Sequence, residues 1–532
     1  MPDPRETVAD TGSEDIAALA KGGRTNFFGF LLRLAARLPF LFVAGRIYGP
    51  ELLGRFAYAV LIVEFAAQLA TLGLKRGLAE QLSSTDKPHA CVVWDAMLVA
   101  LIASAVATVV LALFPGVMFP NSPVRGLEWL LPLIVFAIAG SDVALAALAY
   151  RHNVQATVTA RAIVEPWTIS IAAFALSYVS SRDGLIIAYV LSMIAALAAS
   201  LWPLYRSYGV PSGWKPQPGQ LWALARRNTP LAAADAVEWG SRRIDIAILG
   251  LFFSPAVVGI YYVAQQVASL PQKLKTSFDP ILGPVITQKL AEGDKAAVAR
   301  QVRQVGFWII AAQVGIALAL GIPGEAVMGL VGPNFVGGTG ALAFLLAAEA
   351  VAATAVVSEA ALVYVARHRN LVISLLTISL QAALSIALIQ GIRAVRLPQW
   401  LVERFDLAGD RLPDSFAAAG PALALGLALG VSSIFKARLL SRLLGAPVQG
   451  WRWPIVWAAA AAIVVGTGFT RLPQSLEWLE LALGIPVILL AFGLVIWKRG
   501  FTHEDRVLFR IGKGEEAAPS LPPPPGAAPP GR

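Results

Sequence analysis

GRIYGPELLGRFAYA, from Gly45 to Ala59, and GLFFSPAVVGIYYVA, from Gly250 to Ala264, align without a gap. Gly45 matches Gly250, Pro50 matches Pro255, Gly54 matches Gly259 and Ala59 matches Ala264, with Phe56 set against Tyr261. In each copy a Gly/Pro-containing turn joins the end of one apolar stretch to the start of the next. Both therefore read as a short hairpin between the first two spans of a unit. The offset is 205 residues (250 minus 45) and takes in six spans. Six is even, so both copies enter the membrane from the same side. The chain thus reads as two parallel repeats related by an axis along the membrane normal.

The rest of the 532 residues agree with that reading. The chain is 57% hydrophobic and 14% charged, with a mean hydropathy of +0.66, whereas soluble domains carry about 25% charged residues. Windows of roughly twenty apolar residues, enough to cross a hydrocarbon core of ~30 Å, recur at 25–47, 51–74, 90–114, 127–150, 155–179, 184–206, 229–253, 256–279, 303–322, 339–365, 370–392, 415–435, 453–470 and 476–497. The expectation is an all-α polytopic membrane protein of about fourteen helices: two six-helix parallel repeats around a central cavity, plus two extra C-terminal helices. Residues 1–20 read as a disordered cytoplasmic N-terminus, 21–206 as the N-terminal lobe and 207–220 (SYGVPSGWKPQPGQ) as the interlobe linker. Residues 221–443 read as the C-terminal lobe, 444–500 as spans thirteen and fourteen, and 501–532 as a cytoplasmic Pro-rich tail. The first apolar stretch begins near Phe27 and runs on into a full span, so no cleavable signal peptide is expected. Cys91 stands alone, which excludes an intramolecular disulfide.

The net charge of +10 comes from 43 Lys and Arg against 33 Asp and Glu, and its distribution sets the orientation. One side collects Lys75, Arg76, Lys87, Arg151, Arg206, Arg226, Arg227, Lys289, Arg300, Arg367, Lys436, Arg442 and Lys498 among others. The other holds Arg46, Arg55, Arg125, Arg182, Arg471 and a group between Arg393 and Arg411. By the positive-inside rule both termini are expected in the cytoplasm, with the chain, as the resemblance described below implies, in a bacterial inner membrane. No nucleic-acid partner is expected.

Charges inside spans need a destination. Span seven carries Asp235, Glu238, Arg242, Arg243 and Asp245; at about 2.5–3.5 kcal/mol each near a helix centre, five would total roughly 12–17 kcal/mol if they faced lipid. Asp235, Glu238, Arg242 and Asp245 fall at i, i+3, i+7 and i+10, which predicts one polar stripe. Span eight repeats the pattern with Tyr262, Gln265, Ser269, Gln272, Thr276 and Asp279. Asn26, Arg33 and Arg37 share a face of span one, and Glu64, Gln68, Thr71 and Lys75 follow a face of span two. Arg37 and Arg242 are again 205 apart. Spans one, two, seven and eight are therefore expected to line one polar cavity between the lobes. In it, Arg33, Arg37, Arg242 and Arg243 form a candidate site for a phosphate or diphosphate headgroup, because a guanidinium offers forked donors and stays charged. Arg242 has an equal alternative, an ion pair with Glu238 one turn away, and Arg33 and Arg37 have one in pairing with Glu64, although binding is the favoured reading for Arg37. Asn26, Glu64, Gln68, Asp235, Glu238, Asp245, Tyr262, Gln265 and Gln272 are candidates for lining, gating or ion coupling. Asp142, Glu165, Glu349 and Glu359 are either ion-coupling acids or helix-end or interhelix hydrogen-bond partners. Pro39, Pro132 and Pro166 lie within spans, where proline frees backbone carbonyls and bends helices.

Enzyme signatures are missing from the sequence. It has no G-x-x-x-x-G-K-[ST] loop, no G-x-S-x-G elbow and no H-E-x-x-H helix. His89, His152, His368 and His503 are scattered without ligand spacing. No metal, cofactor or catalytic residue is expected. The longest outer loop, Arg393 to Asp414, contains LPQWLVERFDLAGDRLP, which reads as a short interfacial amphipathic helix.

The segment GRIYGPELLGRFAYAVLIVEFAAQLATLGLKRGLAEQL resembles the opening helices of the polysaccharide transporter (Wzx-type) flippases, in the multidrug/oligosaccharidyl-lipid/polysaccharide (MOP) superfamily. The segment RRIDIAILGLFFSPAVVGIYYVAQQVASLP resembles the start of that family's second lobe, with Asp245 at the intramembrane Asp, Gly259 at the Gly and Tyr261 or Tyr262 at the aromatic position. The resemblance is architectural over roughly residues 20–500. It implies translocation of an oligosaccharide carried on undecaprenyl diphosphate, for surface polysaccharide biosynthesis, by lobes that rock around the cavity. It also implies a polysaccharide polymerase and export machinery as possible partners. A lipid II flippase and a multidrug exporter of the same superfamily share the architecture. A membrane polymerase or ligase is the alternative of a different class.

Overall fold

The computed structural model describes residues 38–151, 153–211, 213–275, 286, 289–290, 292–396, 414–471, 473, 476–502 and 505. Asn26, Arg33 and Arg37, the stretch 397–413 and the chain from 506 onward lie outside these residues. Among the described residues nine helices are long and apolar enough to cross a membrane. Helices occupy all fourteen expected positions, the first of them described from residue 38.

The N-terminal unit comprises α1 (residues 38–48), α2 (Gly49–Ala70), α3 (Leu74–Ser83), α4 (His89–Leu113), α5 (Gly126–Tyr150), α6 (residues 154–177) and α7 (Gly184–Tyr208). Span seven is two helices, α8 (Pro218–Ser241) and α9 (Ile244–Phe252). The second unit continues with α10 (Pro255–Lys275), α11 (Lys295–Gly321), α12 (Gly324–Val331), α13 (Thr339–Ala353), α14 (Val356–Val365), α15 (Arg367–Ala394) and α16 (Asp414–Leu444). The last two spans are α17 (Pro454–Phe469) and α18 (Glu477–Gly500), which pack on each other and on α11.

Local sequence explains the irregularities. Three of the four π turns among the described residues, Ala44–Tyr48, Val158–Val164 and Glu480–Gly484, end two residues before Pro50, Pro166 and Pro486. A proline supplies no N–H and its ring clashes with the carbonyl four residues back; the preceding turn widens to i→i+5 bonding instead of breaking. Helix α2 ends where Leu72 (φ 48°) and Gly73 (φ 73°) both take the left-handed region, so α3 leaves at an angle.

The packing divides by depth. On the side of the two hairpins a single apolar core runs through both units, from Leu53, Tyr58 and Leu131 to Leu249, Tyr261 and Leu342. Toward the opposite side it splits in two. One core contains Leu74, Leu78, Val143 and Leu204; the other contains Val302, Ile309, Leu362 and Leu440. The lobes are thus joined at the hairpins and part away from them. The joint is the crossing of α2 and α10. A Cβ added at Gly54 would overlap the Pro255 carbonyl oxygen, and one added at Gly259 would overlap the Pro50 carbonyl oxygen. Such small residues let helix backbones touch where lipid offers no hydrophobic drive for association.

Candidate functional site

The expected uninterrupted stripe on span seven does not form. The helix stops at Ser241, Arg242 and Arg243 make a turn, and α9 restarts at Ile244. The break separates Asp235 and Glu238 from Asp245. Asp245 is fully buried, accepting from the Tyr261 hydroxyl at 2.8 Å and from Gln265 Nε2 at 3.0 and 3.1 Å. Asp245 and Gln265 therefore satisfy each other within the second unit. Tyr262 packs against the hairpin-side core. The side chain of Gln272 lies outside the described residues.

Asp235 and Glu238 turn to the first unit instead, because α8 packs against α2, α3 and α4. Arg76 Nε lies 2.7 Å from Asp235 Oδ1, and Arg76 Nη2 donates to Glu238 Oε2 at 2.5 Å. Arg242 Nη2 lies 3.7 Å from Glu238 Oε1, so the ion-pair alternative for Arg242 is the one seen, between side chains about half exposed.

A cavity of about 530 Å³ opens within the first unit. Its walls come from α2, α5, α6 and α7, with Trp239 and Arg243 of span seven across its mouth. Among the described residues spans two and seven contribute as expected, spans four, five and six supply the rest, and span eight does not take part; the span-one residues Asn26, Arg33 and Arg37 lie outside the described residues. Glu64 and Gln68 line it as expected. Around them sit Lys75, Asp142, Arg161, Glu165 and Tyr189.

Arg161 organises these groups. The π turn before Pro166 carries it, and it reaches Asp142 Oδ1 at 2.5 Å and Glu165 Oε2 at 2.9 Å. Lys75 Nζ stands 3.6 Å from the other Asp142 oxygen. Arg243 pairs with Glu64 across the mouth and lies over the Trp239 ring at 4.8 Å. Tyr189 donates to Glu64 Oε1 at 3.3 Å. The cavity thus holds three cations and three carboxylates, in pairs that a polar ligand can exchange with. Glu165 pairs with Arg161 one turn away on its own helix, whereas Asp142 is here an interhelix partner. Glu359 likewise pairs with Lys436 at 3.0 Å.

Sequence reasoning did not single out Arg161. Its signal was an arginine inside an apolar span four residues before Glu165, the spacing of an ion pair on one helix face. Arg55, expected as a loop charge, is buried and pairs with Glu128 through both carboxylate oxygens at 2.8 Å.

Comparison with known proteins agrees with this architecture. The family described as "Polysaccharide biosynthesis protein" matches residues 29–288. Among curated proteins none matches. The chain shares its fold with the lipid II flippase MurJ in an inward closed conformation (TM-score 0.62, 11% identity, covering 91% of this chain and 98% of that one). It also shares it with an inward-facing MATE family multidrug resistance transporter of the MOP superfamily (TM-score 0.56, 15% identity, 78% and 98%). A third likeness is to a MOP superfamily transporter from Pyrococcus furiosus, described as having a binding pocket of reverse polarity (TM-score 0.50, 13% identity, 82% and 96%). The family match covers residues 29–288, just under half of the chain, and the fold is the one these multi-pass membrane transporters share.

Proposed function

From that placement, we propose that the chain translocates undecaprenyl-diphosphate-linked oligosaccharide units across the bacterial inner membrane by alternating access. It does so as a transporter and not as an enzyme. The observation that carries this reading is the cavity of about 530 Å³, walled by membrane helices yet lined by six charged side chains. A membrane protein keeps ionisable groups at such depth when they face a polar passenger or one another. An oligosaccharide offers hydroxyls that donate to Glu64, Asp142 and Glu165 and accept from Lys75 and Arg161. The matched charge is less suited to an organic cation, which favours a surplus of acids.

Arg242 and Arg243, at the break in span seven, are proposed to meet the diphosphate together with Arg33 and Arg37. With both termini in the cytoplasm, the hairpins lie on the outer side. The state described here is then closed outward at the α2–α10 crossing, and the parted lobes face the cytoplasm. A rocking motion about this joint would reverse the access, while the polyprenyl tail stays in lipid.

The test is a deletion strain whose lipid-linked intermediates are identified by mass spectrometry and located by leaflet. Complete repeat units held in the inner leaflet, with surface polymer lost, are the expected result. Accumulated lipid II would favour the cell-wall flippase. Unpolymerised units in the outer leaflet would place the defect in an enzyme downstream, and unchanged lipid-linked glycans would overturn the reading.

A further inference from the structure

The junction between α3 and α8 joins the cavity-bearing unit to span seven, and it is closely made. A Cβ at Gly73 would come within 2.6 Å of the Ala232 nitrogen and the Asn228 carbonyl oxygen. Arg227 reaches Glu80 at 2.7 Å, and Lys87 donates to Gln220. Near the end of α8 sits Asp235, 4% exposed. One of its oxygens meets Arg76; the other, Oδ2, is buried and has no hydrogen-bond partner. A carboxylate in such surroundings keeps its charge at a high desolvation cost. The charges that face it are Arg76 and Lys75 from α3, Asp142 from α5 and Glu238 on its own helix.

Arg76 serves two acids at once. If Asp235 loses its charge, the guanidinium keeps Glu238, an exposed and solvated partner, and is not stranded. The buried half of the clasp is therefore the half that can be switched off. Lys75, next to Arg76 in sequence, contacts Asp142, and Asp142 contacts Arg161. The cavity's ion pairs and the junction's thus start from neighbouring residues of α3, Lys75 and Arg76.

We infer that Asp235 is a proton-binding site, and that protonating it opens the buried half of the Arg76 clasp, so that span seven pivots about the remaining Arg76–Glu238 contact and off the mouth of the cavity. The proton adds to the unpartnered Oδ2, leaving a neutral carboxyl; the Asp235–Arg76 contact is given up, and the Arg243–Glu64 and Arg227–Glu80 pairs part as the helix swings. The inference rests on the alternating-access reading above and names the ion that would drive it.

The experiment uses the full chain in nanodiscs, with Cys91→Ser and nitroxide labels on Lys87→Cys and Gln220→Cys. Distances are read by double electron–electron resonance from pH 5 to pH 9. The expected result is a short distance at high pH that gives way to a longer one on acidification. Asp235→Asn and Arg76→Gln should each hold the longer distance at every pH, and Glu80→Gln should keep the pH response. A wild-type distance that does not change with pH would overturn the inference, and so would an Asp235→Asn chain that still responds. Should Asp235→Asn not fold, the wild-type titration and Arg76→Gln decide the matter. No lipid-linked substrate is present, so a failed flippase reading leaves this result standing, and the reverse holds as well.

Discussion

Gly54 and Gly259 meet backbone to backbone, each facing the carbonyl oxygen four residues before the other. The two residues are also 205 apart in sequence, so the repeat that relates the hairpins also places them on opposite sides of one contact. This reciprocity is what a two-fold relation between the units predicts at their joint. Replacing either glycine with valine must push α2 and α10 apart, since backbone atoms block the added carbon. Overpacking of this kind costs about 1–3 kcal/mol. Gly54→Val and Gly259→Val are thus expected to shift the equilibrium away from the hairpin-closed state by roughly 5- to 150-fold. A cysteine placed at Val258, 1% exposed here, should then react faster with a membrane-impermeant maleimide added outside. Unchanged labelling would show that the crossing is not the seal.

Arg161 holds two carboxylates, and neither has another arginine beside it. Breaking a buried ion pair by removing one partner costs about 3–5 kcal/mol, because the remaining charge is left in a low-dielectric site. Arg161→Ala should lower thermal stability in detergent and abolish transport. The double variant Arg161→Met with Glu165→Gln should recover part of the stability without the transport. If Arg161→Ala melts with the parent, the cluster is solvated well enough to stand without its guanidinium.

The repeat was readable because turn residues are dictated locally: Gly49 has φ 79°, and Pro50 follows it directly. The break at Arg242–Arg243 was not readable, because helical spacing can continue in a sequence across a point where the helix itself stops. The polar stripe on span seven was real as a list of residues, but its two ends serve different bodies. Asp235 was identified from position alone, whereas its partner Arg76 was read as a loop charge beyond span two and in fact stands on the separate helix α3. Likewise Arg161 and Asp142 are 19 residues apart on different spans, and no local pattern announces their meeting.

The loop between α4 and α5 is a second tie between the lobes. Asn121 Nδ2 donates to the carbonyl oxygens of Gly250 at 2.7 Å and Phe253 at 3.0 Å, capping the end of α9. The loop is held in place by Arg55, which grips Glu128, donates to Ser122 and to the Pro123 carbonyl, and lies 5.0 Å from the Phe119 ring centre. Asn121→Ala should loosen the hairpin side with little loss of overall stability, each lost hydrogen bond being worth about 0.5–1.5 kcal/mol. Glu128→Ala should cost several times more, about 3–5 kcal/mol, because it leaves Arg55 buried and unpaired. Thermal unfolding compared with outside labelling of the Val258→Cys background separates the two effects. Equal losses of stability in both variants would contradict this division.

Asp505 ties the chain beyond α18 to two other elements. It is fully buried, and it accepts from Arg452 at 2.6 Å, from Thr502 N–H at 2.9 Å and from the Thr502 hydroxyl at 2.8 Å. Gln304 and Trp308 of α11 donate to its other oxygen at 3.1 and 3.0 Å. Burial alone would push this carboxyl up, but the Arg452 guanidinium and the Thr502 donors outweigh it and hold the group below the usual carboxylate range. A group lowered on folding adds stability that is complete above its ordinary value of 3.8 and is lost as pH falls through the lower folded value. Between pH 8 and pH 5 the clasp should therefore give constant support, which fades below about pH 4. Asp505→Asn should be less stable than the parent by about 3–5 kcal/mol at neutral pH, with a gap in melting temperature that stays level down to pH 5 and narrows on further acidification. A gap that closes between pH 8 and pH 6 would mean that Asp505 is not held ionised by Arg452. The clasp on spans thirteen and fourteen would then rest on its neutral hydrogen bonds.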